Sequence, residues 1–275
     1  MTAFTWTALG WLALSSFLGF CCLAFSRYRG AAWAFYAALP MVLTPWWMFY
    51  YAHALFMWVK LYTMLAAAIY FLCIRFTHVG EQPWIARGTR WLMFMNIIEA
   101  VIQNLVSGVQ QPKTAYLLNA AAGVVLMLSF PRGPIVRVEE GPHRRLLADV
   151  PYAWVVGYTL WNGLFVYLEW PDYIGIQCAI HLPALLYCLW QRQLWIQARA
   201  FSLAAYLMVH FSLGPYMDKL ALEPTASEPL RLIWSVISLV WAVGTYINWE
   251  HPPQKSPRSQ ANDAKRSGPQ SIVVG

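Results

Sequence analysis

Apolar residues along this chain gather into nine long stretches, at residues 4–26, 31–51, 53–75, 91–110, 114–130, 152–170, 173–191, 194–213 and 231–249. A spanning helix needs about 20 mostly apolar residues to cross the hydrocarbon of a bilayer. The breaks between stretches carry turn chemistry or charge, as in Arg27-Tyr28-Arg29-Gly30, Gln111-Pro112-Lys113, Pro131-Arg132-Gly133-Pro134, Trp170-Pro171-Asp172 and Gly214-Pro215. The break at Tyr51-Ala52-His53 is the weakest; a kink there, set by Pro40 or Pro45, would leave eight spans instead of nine. Lipid offers backbone groups no hydrogen bonds, so such segments must be helical. The pattern predicts an all-α, polytopic membrane helix bundle of about nine transmembrane helices over residues 1–250. The first stretch is longer than a signal-peptide core and lacks a basic leader, so it is expected to be retained.

Charge placement gives this reading an orientation. With the N-terminus outside, every inner loop is basic: Arg27 and Arg29; Arg75, Arg87 and Arg90; Arg132, Arg137, Arg144 and Arg145; Arg192 and Arg199; then Lys255, Arg258, Lys265 and Arg266. These are 15 of the 19 lysines and arginines, whereas the outside receives Lys113, Lys219 and Arg231 together with Asp172, Asp218, Glu223 and Glu228. The positive-inside rule thus supports nine spans and a cytoplasmic C-terminus in a cell (plasma or inner) membrane. Residues 131–150 form the longest inner loop, expected to touch headgroups; residues 251–275, rich in Pro, Ser, Gln and charge, are expected to be a disordered cytoplasmic tail.

Composition narrows the classes further. The chain is 59% hydrophobic and 11% charged, against about 25% charged residues in a soluble domain. That excludes a soluble enzyme, a disordered protein and a nucleic-acid binder. The net charge of +7 sits between apolar segments, so the lipid bilayer and its anionic headgroups are the expected partners. Cys21, Cys22, Cys73, Cys178 and Cys188 all lie within apolar stretches and form no CxxC, which reads as small core residues rather than a disulfide or zinc framework.

Polar residues inside the stretches recur at helical spacing. The fourth stretch carries Asn96, Glu99, Gln103, Ser107 and Gln110; the third carries His53, Lys60, Thr63 and Tyr70. Later stretches add Tyr116, Asn119 and Gly123; Thr159, Asn162 and Glu169; Gln177, His181 and Cys188; Arg199, Ser202, Tyr206 and His210; and Ser235, Ser238 and Thr245. The first two offer little beyond Ser15, Ser16 and Thr44. Such residues face the bundle interior, which predicts a seven-helix core from the third to the ninth stretch with two peripheral helices.

Counting residues along each helix puts Glu99 and His181 near the midplane, Lys60, Gln103 and Gln177 on its outer side, and His210, Glu169, Asp172 and His53 near the outer rim. This asymmetry predicts a polar cavity opening outward. Glu99 needs a partner at that depth, and Lys60 is the candidate. The pair is either structural, or Glu99 takes a cationic group or a proton. His181 and His210 are candidate relays or ligands, and Gln103, Asn162 and Gln177 candidate contacts to a solute. Trp91, Tyr158 and Trp161 could stack on a ring or serve as interfacial anchors, and Trp46, Trp47, Tyr50 and Tyr51 read as an aromatic belt. No HxxxH, HExxH, GxSxG or Walker sequence occurs, so nothing nominates a catalytic set, a metal or a cofactor.

The strings Trp58-Val59-Lys60-Leu61-Tyr62, Asn96-Ile97-Ile98-Glu99-Ala100-Val101 and Tyr158-Thr159-Leu160-Trp161-Asn162 resemble segments of a family of uncharacterised bacterial multi-pass membrane proteins, a likeness that implies no activity. Asn162, Tyr167, Asp172, Tyr173, Gln177, Tyr187 and Trp190 resemble in order, with small departures in spacing, a region of nicotinamide riboside-type vitamin transporters. That likeness implies a seven-helix carrier for a small ring-bearing solute. The leading expectation is a membrane protein that binds or transports a small polar or aromatic solute through Lys60, Glu99, Gln103, Asn162, Gln177, His181 and His210. Two alternatives stay open: a membrane-embedded enzyme or redox protein using His181, His210 and Glu99, and a non-catalytic assembly or sensory protein working through the 131–150 loop.

Overall fold

A computed structural model describes residues 3–50, 54–78, 82, 84–110, 113–131, 136–222 and 227–250. His53, Tyr51 and the expected tail at 251–275 lie outside the described residues. Each apolar stretch coincides with helix: α1 (Ala3–Arg27), α2 (Arg29–Trp33) running through a π turn (Ala34–Ala38) into α3 (Leu39–Tyr50), α4 (Leu55–Phe76), α5 (Ile85–Gln110), α6 (Thr114–Leu128), α7 (Tyr152–Glu169), α8 (Ile174–Trp190), α9 (Trp195–Met217) and α10 (Glu228–Glu250). Ala54 is extended, at ψ 147°, so α3 and α4 are separate helices. The π turn precedes Pro40, which has no N–H to offer the preceding turn. The break expected at Gly214-Pro215 is a kink: Leu213 leaves helical geometry and α9 resumes to Met217.

Among the described residues, five helical segments are long and apolar enough to cross a membrane: Thr5–Arg27, Leu55–Phe76, Arg87–Gln110, Pro171–Trp190 and Glu228–Asn248. The exterior is correspondingly apolar, with Phe49, Val109, Leu189 and Val240 all exposed.

Helix α9 is the axis of the bundle, buried along nearly its whole length and packed against α1, α4 and α8. Ala198, Ala200, Ala204 and Ala205 let the neighbouring backbones approach. Helices α5, α6, α7 and α10 form the other side, where α10 packs chiefly on α6 and α7. The division into seven core and two peripheral helices therefore needs revision. Helix α10 buries 28% of its apolar window, less than the 33% of α1. The α2–α3 rod sends Tyr36 and Trp47 into the interior; Tyr36 Oη donates to Phe201 O at 2.9 Å and Trp47 Nε1 to Ser212 Oγ at 3.0 Å. Trp47 is thus no part of an aromatic belt, whereas Trp46 and Tyr50 stay exposed.

Within the expected 131–150 loop, residues 136–150 do not lie on a surface as a simple connector. Strands β1 (Val136–Val138) and β2 (Leu146–Ala148) pair antiparallel, Val136 opposite Ala148. β2 is wholly buried against α4 and α9, and Leu146 N donates to Gln197 Oε1 at 2.8 Å. Gly141 supplies a positive φ of 124° at the turn. At its base Arg145 grips Glu139 through two bonds of 2.5 and 2.6 Å, holding that carboxyl below its ordinary value.

Arg75, read from sequence as an inner-loop cation, is fully buried. Its guanidinium donates to Phe25 O at 3.0 Å, Ser26 O at 2.7 Å, His143 O at 2.9 Å and Arg144 O at 2.9 Å. Two of these carbonyls belong to the last turn of α1, where helix geometry leaves acceptors unpaired and the dipole favours a cation. One side chain thereby ties α1, α4 and the hairpin together.

Arg75→Met is expected to lower unfolding stability in detergent by about 2–3 kcal/mol, the scale of a lost charged hydrogen bond, and to speed protease cutting within 139–145. Unchanged cutting would mean that the hairpin docks without it. Close packing gives a second expectation. A Cβ at Gly123 would stand 2.6 Å from Val101 Cγ2 and 2.9 Å from Trp161 Nε1, whereas one at Gly244 meets nothing within 4 Å. Gly123→Ala should therefore cost about 1–3 kcal/mol by overpacking, and Gly244→Ala should leave the unfolding midpoint unchanged or raised.

Candidate functional site

A cavity of about 200 Å³ lies between α4, α7, α8 and α9. Helical spacing brings its lining together. Phe56, Met57 and Lys60 come from one side of α4; Asn162, Phe165 and Val166 from α7; Ile176, Gln177 and Ile180 from α8; and Arg199, Leu203, Tyr206, Leu207 and His210 from one face of α9. Trp170 and Tyr173, at the turn joining α7 to α8, complete it. From Arg199 to His210 the lining rises about 16 Å along α9. Its polar groups gather at the Arg199 level and its aromatic groups nearer the α7–α8 turn.

Two hydrogen-bonded sets meet at the polar level. In the first, Lys60 Nζ contacts Glu99 Oε2 at 3.1 Å, Asn96 Oδ1 at 2.7 Å and Asn96 O at 3.0 Å. These three acceptors match the three N–H groups of an ammonium. Asn96 Nδ2 in turn donates to Tyr158 Oη at 2.9 Å. Of the two roles open for Glu99, the geometry is that of the ion pair. In the second set Asn162 Oδ1 stands 2.5 Å from Gln177 Nε2, 2.9 Å from Arg199 Nη2 and 3.0 Å from His181 Nε2. The Arg199 guanidinium also lies 5.8 Å from the Tyr158 ring centre.

Below this level, toward the hairpin, the interior is filled. Trp154, Tyr158 and Trp195 are fully buried and packed ring on ring, Trp154 and Tyr158 stacked at 5.4 Å and Trp195 edge-on to both. The hairpin strand β2 lies beyond them.

The expected site residues do not all meet. Lys60, Asn162, Gln177 and His210 line the cavity. Glu99 and His181 stand behind it, one bonded to Lys60 and the other to Asn162 and Gln177. His210 is at the far end, beside Tyr206 and Tyr173. Gln103 belongs to a different cluster, so its assignment to the same site is corrected. Its Nε2 lies 3.3 Å from Glu169 Oε2, which also accepts from Ser107 Oγ at 2.7 Å, while Asn104 Nδ2 donates to Glu169 Oε1 at 2.7 Å. Trp161 and Tyr158 are sealed in the core and Trp91 faces outward, so none of the three is offered to a ring in the cavity.

Arg199 is the residue that sequence reasoning misplaced. Counted with the inner-loop cations, it is 4% exposed and lines the cavity. The clue was its place on the Ser202–Tyr206–His210 stripe, a full turn inside α9 rather than at its boundary. Among the described residues no three His, Cys, Asp or Glu side chains come together as a metal ion requires, and His181, His210 and Glu99 occupy three separate neighbourhoods.

A family described as "Family of unknown function (DUF5692)" matches residues 2–256. The chain belongs to that family. No curated protein and no solved structure matches the chain. Membership is in keeping with the likeness to an uncharacterised family and adds nothing on the likeness to vitamin transporters.

Lys60 and Glu99 side chains are 10% and 9% exposed. Removing one partner of such a pair strands a buried charge, at about 3–5 kcal/mol. Lys60→Met should therefore lower unfolding stability by that order, and Lys60→Met with Glu99→Leu should recover most of it. A double variant as unstable as the single one would show that the pair does not act as a unit.

Proposed function

We propose that this protein is an integral membrane protein of the cell membrane that binds or carries a small polar or aromatic solute, taken from the outer side. The observation that carries the reading is the cavity between α4, α7, α8 and α9. It has a polar floor at Lys60, Asn162, Gln177 and Arg199 and aromatic walls, while packed rings and the buried hairpin strand β2 fill the bundle on its other side. Ligand sites are concave and mostly apolar, with a few convergent polar groups, and this cavity has that character.

Nine spans follow if each helical rod crosses the bilayer, the shorter ones included. The apolar exterior supports this, since a soluble protein rarely exposes contiguous apolar surface on such a scale. Orientation rests on the basic residues: the end bearing the hairpin, Arg27, Arg137 and Arg192 faces the cytoplasm, and with it the C-terminus. The α7–α8 turn then faces outward, and the cavity is the outward-open half of a pathway. A role for residues 131–150 in docking a partner gains little support, because β2 is spent in the chain's own interior. No arrangement of His181, His210 and Glu99 favours redox or catalytic work over binding.

Cysteine accessibility tests the reading without knowledge of the solute. In a variant lacking the five native cysteines, Val166→Cys should react in intact cells with a membrane-impermeant maleimide. It should stay unreactive toward the same reagent in inverted vesicles. Labelling from the cytoplasmic face only would reverse the orientation. No labelling from either face would remove the open cavity.

A further inference from the structure

We infer that the solute is an anion: one carboxylate or phosphate-type group on a compact ring or similarly small apolar body, with Arg199 as its anchor. The inference rests on the preceding reading of the cavity as a solute site. It goes further by fixing the sign of charge and the group recognised.

The donors and acceptors around Arg199 do not balance. A guanidinium presents five N–H groups in a planar fork and accepts none. One, on Nη2, goes to Asn162 Oδ1, while Nε and Nη1 of Arg199 are buried without a hydrogen-bond partner. Asn162 Oδ1 cannot take more. It already has Gln177 Nε2 and His181 Nε2 within 3.0 Å, and a carbonyl oxygen carries two lone pairs. The remaining N–H groups of Arg199 therefore find no acceptor in Asn162.

Charge counting agrees. Lys60 is neutralised by Glu99, and its three hydrogens are spent on Glu99 and Asn96. Among the described residues no carboxylate lines the cavity. Arg199 is then a buried cation whose compensation is one amide oxygen and the face of Tyr158. An arginine in an apolar interior without a counter-charge is costly. A carboxylate or phosphate accepting from one of these unpartnered N–H groups would reduce that cost.

Size and wall chemistry set the rest of the ligand. A cavity of about 150 Å³ accepts benzene, so about 200 Å³ holds one ring with a small substituent. Above the Arg199 level the walls are Phe165, Leu203, Tyr206 and Leu207, which suit an apolar body.

The test compares three ring probes of one shape and different charge: benzoate, benzamide and benzylamine. Each is titrated calorimetrically into the full-length protein in phosphatidylcholine nanodiscs. Benzoate should bind at least about tenfold more tightly than benzamide, and benzylamine should not bind. Arg199→Gln should erase the preference for benzoate, and Arg199→Lys should retain part of it. If Arg199→Gln fails to fold, the wild-type charge series still decides. Equal or tighter binding of benzamide or benzylamine overturns the anion assignment and leaves the cavity reading standing. If no probe binds although Val166→Cys labels from outside, the anion assignment alone falls; if that cysteine is also unreactive, both fall. Repeating the benzoate titration in phosphatidylglycerol nanodiscs separates the two sources of the anion. Loss of binding there identifies a lipid headgroup as the natural occupant, and retention identifies a free solute.

Discussion

A charged group removed from water must be met by the protein, and the cations buried in this bundle are met in four different ways. Lys60 has a carboxylate and an asparagine. Arg75 has four backbone carbonyls. Arg231 has Glu228 at 2.9 Å, with the Tyr167 ring 5.9 Å away. Arg199 has a single amide oxygen and the Tyr158 ring. Lys60 and Arg75 tie neighbouring helices together, whereas Arg231 pairs within α10 and keeps a buried Nε without a partner. The fourth arrangement, at Arg199, is open toward a cavity.

The Lys60 and Arg75 arrangements explain why the cavity exists where it does. Arg75 draws the end of α1, the end of α4 and the hairpin together, and the hairpin strand β2 then fills the space beneath α9. Trp154, Tyr158 and Trp195 add a layer of rings above it. The Lys60–Glu99 pair fixes α4 to α5. With one end of the bundle filled and α4 held against α5, the remaining gap lies between α4, α7, α8 and α9 toward the α7–α8 turn. A packed core leaves few voids larger than a water molecule, so a gap of this size beside an incompletely bonded arginine stands out.

The two polar clusters show how one helix serves two environments. Along α5, Asn96 and Glu99 turn toward Lys60 of α4, whereas Gln103, Asn104 and Ser107 surround Glu169 at the end of α7. A heptad drifts by only about 20° around a helix axis, so rotation of the stripe does not divide it. The neighbours do: α5 meets α4 at one level and α7 at another. Glu169 is fully engaged by neutral donors and anchors α5 to α7, which is why Gln103 is drawn away from the cavity.

The helical runs, their approximate places and the apolar exterior were legible in the chain itself, whereas α5 begins earlier than its apolar stretch, at Ile85, and α9 continues to Met217. The legible features depend on local composition, on the length of each apolar run and on turn residues between runs. The Lys60–Glu99 meeting was legible for a similar reason, since a buried carboxylate leaves few choices of partner. The hairpin inside 131–150, the burial of Trp47 and Arg75, the outer place of α10, the separation of Gln103 from Asn162 and the exposure of Arg199 to a cavity were decided by tertiary structure alone. Periodicity tells which side of a helix is polar. It does not tell which neighbour that side faces, how deep an arginine stem folds back, or whether a polar group meets a partner or an empty space, because those follow from how helices cross and which gaps their side chains leave.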